Sequence, residues 1–127
     1  MDLGLSGAPG HLAGMAKPLH HPEPNRIDLS AVLDALSDPI RRAIVRMLAE
    51  QGEGRCSDFL PCTTKTNLTY HVARLREAGV IFVRPDGAAR IATLRRQDLD
   101  ARFPGLLDAV LAGARQDPPL ALQAAEE

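Results

Sequence analysis

The chain has 127 residues, 45% hydrophobic and 24% charged, with a formal net charge of −1; that is room for one domain of the usual ~100–150 residues. Aromatics at 3% leave a core of Leu, Val, Ile and Ala, which favours helices over a β-sandwich. Two Cys are too few for a secreted disulfide scaffold, no apolar run approaches the ~18–20 residues of a membrane span, and Met1-Asp2-Leu3-Gly4 lacks the basic start of a signal peptide, so the chain reads as cytoplasmic.

Residues 1–25 carry Gly4, Gly7, Gly10, Gly14, Pro9, Pro18, Pro22 and Pro24 without periodicity, and read as a flexible N-terminal arm. Ile27, Leu29, Val32, Leu33 and Leu36 then recur at helical spacing. Asp38-Pro39 is an N-cap followed by Pro at the first helical position, and the helix it opens ends at Gly52 and Gly54. Residues 57–60 suit one or two helical turns. Thr64 is the next N-cap, with Leu68, Val72, Leu75 and Ala78 spaced along one face and Gly79 as the stop. Residues 80–83 and 90–94 read as a hairpin across Pro85-Asp86-Gly87. A short helical piece over 98–103 precedes a last amphipathic helix opened by Pro104, carrying Leu106, Leu107, Val110, Leu111 and Ala114. Residues 116–127, with Pro118-Pro119 and Glu126-Glu127, read as a second flexible tail. The folded domain is thus 26–115, mainly α with a β-hairpin wing: a winged helix-turn-helix. About 90 folded residues leave little room for a large ligand pocket in one protomer.

The helix after Thr64 carries the chemistry. With Leu68, Val72, Leu75 and Ala78 turned inward, its N-terminal half shows Lys65, Thr66, Asn67, Thr69 and Tyr70, and Arg74 follows on the outward side. These are hydrogen-bonding side chains with no acid among them, as a helix entering the major groove requires. Residues 55–96 hold eight basic side chains against three acids, a local charge of +5, so the remainder carries −6. The near-neutral total hides a basic segment, and a DNA duplex responds to local charge. The expected partner is double-stranded DNA, contacted through Thr64, Lys65, Thr66, Asn67, Thr69, Tyr70 and Arg74, with Arg84 and Arg90 from the wing.

The run Leu33-Asp34-Ala35-Leu36-Ser37-Asp38-Pro39-Ile40-Arg41-Arg42 resembles the opening signature of the ArsR-type (arsenical-repressor-like) winged-helix regulators. Thr69-Tyr70-His71-Val72-Ala73-Arg74-Leu75-Arg76-Glu77-Ala78-Gly79-Val80 resembles that family's recognition helix and its exit. The likeness spans about residues 28–112. It implies a homodimer on an inverted-repeat operator, usually a repressor released by an inducer, here unknown. It also implies a dimer interface from the first and last helices, through Leu29, Val32, Leu33, Leu106, Leu107, Val110 and Leu111. Ala88 and Ala92 stand where that family often has Arg and Tyr, which leaves Arg84 and Arg90 to make the wing contacts.

Cys56 and Cys62 admit three readings: core packing, a thiol redox switch, or metal sensing. Two thiols do not fill a tetrahedral site, and no metal or cofactor is expected. His71, beside the inward Val72, is either a packing histidine or a sensor, while His11, His20 and His21 fall in the arm. The sequence has no His-Glu-x-x-His and no phosphate-binding glycine loop, so an enzyme is not expected. The rival to a DNA-binding regulator is a winged-helix module that uses Tyr70 and its neighbours to bind a protein.

Overall fold

The computed structural model describes residues 19–119. A 3-10 turn at Pro24–Arg26 leads into helices α1 (Leu29–Ala35) and α2 (Pro39–Gln51), then strand β1 (Glu53–Arg55) and a 3-10 segment at Cys56–Cys62. Helix α3 (Lys65–Ala78), strands β2 (Ile81–Asp86) and β3 (Ala89–Leu94), and helices α4 (Arg96–Arg102) and α5 (Leu106–Ala114) complete the described order.

Local chemistry sets most helix ends. Asp28 accepts from the Ala31 N–H and so starts α1 two residues later than the apolar spacing suggests. The Asp38 carboxylate takes the Ile40 and Arg41 N–H groups at 2.8 and 3.1 Å, with Pro39 in the first turn of α2. Thr64 Oγ1 accepts from the Asn67 N–H at 3.2 Å to open α3. Gly79 closes α3 at φ +88°, where the Val80 N–H reaches back to the Leu75 carbonyl.

The sheet has three antiparallel strands in the order β1-β3-β2. Ile81 pairs with Leu94 and Asp86 with Ala89, so the turn is Gly87-Ala88, with Gly87 at φ +63°. The hairpin is therefore longer than its apolar residues suggest: Pro85 and Asp86 lie within β2, an edge strand, where a missing N–H costs little. Strand β1 has no apolar signature and forms because Glu53, Gly54 and Arg55 find partners in Thr93, Ala92 and Ile91. Helices α1, α2 and α3 pack with the inner face of the sheet and with α5 around Ile27, Ile44, Leu48, Leu75, Ile81 and Leu107, all fully buried. The result is a winged helix-turn-helix. No described helix is long and apolar enough to cross a membrane.

Both domain edges need correction. Residues 19–25, expected in the flexible arm, are strapped over the root of the wing. The His21 ring stacks on Phe82 with centroids 4.1 Å apart, and its Nε2 accepts from the Val83 N–H at 2.9 Å. Arg76 and Arg95 each donate at 2.8 Å, to the carbonyls of His20 and Pro22. The outer edge of β2 supplies backbone donors that a polar, proline-rich segment can satisfy, which hydrophobic periodicity does not register. At the other end, Asp117 is gripped by Arg42 through two hydrogen bonds of 2.8 and 3.1 Å, so the C-terminal boundary lies beyond 115. Residues 1–18, including His11, and 120–127 lie outside the described residues.

Candidate nucleic-acid interface

Helix α3 buries Leu68, His71, Val72, Leu75 and Ala78, and leaves Lys65, Thr66, Asn67, Thr69 and Tyr70 exposed. The inward face matches the sequence reading, with His71 added. Arg41 of α2, itself buried, fixes the helix from behind. Its Nε donates to the Ala35 carbonyl at 2.6 Å, its Nη2 to the Asp34 carbonyl at 3.3 Å, and its Nη1 to His71 Nδ1 at 2.9 Å. The guanidinium thus bonds the C-terminal carbonyls of α1, sharing that of Asp34 with Ser37, and bonds the back of α3, locking three helices. Because guanidinium only donates, His71 Nδ1 must accept, so His71 is neutral and carries its proton on Nε2. Burial holds its pKa below the ordinary histidine value; the Asp38 charge opposes this and the Arg41 charge adds to it. Sequence spacing marks Arg41 only as part of a signature, since a lone Arg on a helix usually snorkels to solvent.

Tyr70, 56% exposed, lies edge-on to His71 and has the Arg41 and Arg74 guanidinium carbons 5.9 and 6.0 Å from its ring centre. Arg74 is ion-paired with Asp34 of α1, so it braces α3 rather than standing free for a ligand. Arg84 pairs with Glu53 at 3.2 Å across the sheet. Thr64 accepts the Asn67 N–H as the helix cap, which directs its hydroxyl toward the backbone. Lys65 and Arg90 are exposed and enter no ion pair among the described residues. Both line a cleft of about 560 Å³ between α3 and the wing, lined also by Arg55, Cys56, Thr69 and Arg76. Ala92 is fully buried at the centre of the sheet, so it is not a wing contact. The cleft is larger than chain length suggests, and the wing lines it with Ala88 and Ala89, two of the smallest side chains available.

A scan against protein-family models finds no match. The chain is, however, 36% identical over 80 residues to the uncharacterized HTH-type transcriptional regulator YceK of Bacillus subtilis (strain 168), a stretch covering 61% of this chain and 80% of that one. The chain belongs to the HTH-type transcriptional regulators. Its fold is that of the ArsR type: a crystal structure of an ArsR family transcriptional regulator superposes with a TM-score of 0.54 at 23% identity, covering 69% of this chain and 92% of that chain.

In this HTH-type regulator the residues assigned to a dimer interface divide in two. Val32 and Leu107, each 1% exposed, and Leu111 belong to the protomer's own core. They share an apolar stripe with the outer residues, and spacing alone does not separate the two layers. Leu29 and Leu33 remain 45% and 46% exposed on α1, while Leu106 and Val110 of α5 are half-buried.

The thiols also divide. Cys56 is half-buried in the lining of the cleft, where burial pushes its pKa up, with the Arg90 charge opposing and the Asp58 charge adding. Burial thus works against its becoming a reactive thiolate. The side chain of Cys62 lies outside the described residues. Among the described residues no group of three or more His, Cys, Asp or Glu is placed to hold a metal ion.

Proposed function

We propose that this regulator binds duplex DNA in the cytoplasm as a homodimer and represses transcription from an inverted-repeat operator. The supporting observation is the exposed N-terminal half of α3, where Lys65, Thr66, Asn67, Thr69 and Tyr70 project without a carboxylate among them. Helix α3 enters the major groove, and Arg90 meets phosphate, while Arg84 stays paired with Glu53. Tyr70 adds a rigid face backed by two guanidinium groups. The two protomers meet through Leu29 and Leu33, joined by the half-buried Leu106 and Val110. Burial of Cys56 disfavours a thiol switch through Cys56 and Cys62, so no redox step is included.

The test is selection of bound genomic fragments with the full chain, followed by titration of the selected duplex over a range of salt. Log affinity should fall steeply with log salt as phosphate contacts displace counterions. Asn67→Ala should cost ~1–3 kcal/mol at one base pair and relax the preference there. Arg90→Ala should weaken all duplexes alike and flatten the salt slope. A flat slope in the wild type, or no loss in either variant, would favour the protein-interaction module instead.

A further inference from the structure

The tertiary structure sorts the basic side chains of residues 55–96. Arg74, Arg76, Arg84, Arg95 and Arg96 are each answered by a carboxylate. The three others, Arg55, Lys65 and Arg90, form no ion pair among the described residues, and all three line the cleft between α3 and the wing. Arg76 lines it as well, held by its bond to the His20 carbonyl. No carboxylate is among the described lining residues, while Leu68 and Val72 from α3 and Ala88 and Ala89 from the wing supply apolar walls. Cations without carboxylates call for an anion. The apolar walls call for a hydrocarbon body as well, which a DNA phosphate does not have. The volume of about 560 Å³ falls within the range of small-molecule sites, roughly 300–1,000 Å³.

We propose that this cleft binds a small organic anion, a carboxylate with an apolar body, and that the bound anion excludes DNA. The head group sits among Arg55, Lys65 and Arg90, and the body lies on Leu68 and Val72. Exclusion follows because Lys65, Thr69 and Arg90 belong both to the cleft and to the DNA-facing surface, so one ligand neutralises the charges that the other requires. Ligand and DNA must then weaken each other by the same factor. The exclusion step rests on the DNA-binding reading above; the anion site does not.

Anilinonaphthalene sulfonate, a fluorescent anion with an apolar body, is the probe for the full chain, with octanoate and octylammonium as competitors. Octanoate should displace the dye and octylammonium should not. Ala88→Glu, at an exposed wing position that tolerates the change, should weaken dye binding about tenfold by placing a like charge at the cleft. Ala89→Leu should do so by filling it, with melting curves showing that both variants fold. A short mixed-sequence duplex at low salt should bind less tightly as octanoate is added. Equal displacement by octylammonium, or wild-type dye affinity in both variants, overturns the anion site even if duplex binding is intact. Octanoate displacing dye without weakening a bound duplex overturns exclusion. Dye behaving as expected while no duplex binds supports the anion site and removes the DNA-binding reading instead.

Discussion

The Arg41 guanidinium and the His71 ring form a buried donor–acceptor pair that works only while His71 is neutral. His21 is in the same position at the wing, its Nε2 accepting from the Val83 N–H. Burial lowers the pKa of His21, and the Arg76, Arg95 and His20 charges lower it further, against a hydrogen bond to the Leu19 backbone carbonyl that raises it. For both rings the unfolded chain binds the proton more readily than the folded one. Their contribution to stability is therefore complete above the unfolded value of 6.5 and is lost as pH falls through the lowered folded values. The melting temperature should drop between about pH 7.5 and pH 5.5. His21→Gln, whose amide oxygen can still accept from Val83, should make that drop smaller; an unchanged pH profile in this variant would show that the His21 contact does not contribute.

Among the elements, the exit of α3 sets where the wing begins. Gly79 at φ +88° ends the helix, and a Cβ there would lie 2.7 Å from Ile27 Cγ1 and 3.2 Å from Pro22 Cγ. The strap and the core residue Ile27 thus close over a position that only glycine fills without strain. Gly79→Ala should destabilise the fold by roughly 1–3 kcal/mol, read from denaturant midpoints at constant m, because both the backbone angle and the space are unfavourable. Gly87, also at positive φ, has open space around it, so Gly87→Ala should cost less, through backbone strain alone. Comparable losses in the two variants would show that the Ile27 contact yields freely. The helix caps at Asp38 and Thr64 and the stop at Gly79 were legible from sequence because each depends on residues within a few positions. Strand β1 was not, since Glu-Gly-Arg becomes a strand only where β3 offers its free edge.

At the scale of the whole molecule, the exposed Leu29 and Leu33 on α1 are the apolar surface expected to bring two protomers together. Leu29→Glu with Leu33→Glu should shift the chain to monomer in light scattering and reduce operator affinity by more than either single change. Folding should persist, because both side chains already face solvent. A double variant that remains dimeric would move the interface elsewhere.

The amino-acid sequence by itself determined the order of helices, the inward face of α3 and the polar, acid-free stretch from Lys65 to Tyr70. Each follows from periodicity and capping within one or two helical turns. It also showed a local +5 over residues 55–96, but not which of those charges remain available. Only the tertiary structure decided that. Asp34, Glu53 and Asp108 lie 12 or more residues away in sequence from Arg74, Arg84 and Arg96, which they answer, leaving Arg55, Lys65 and Arg90 around one cleft. The same holds for Arg41, Arg42 and His21, whose partners lie 30 or more residues away in sequence. Charge and hydrogen bonding act through space, and distances in space are set by how the helices and the sheet pack.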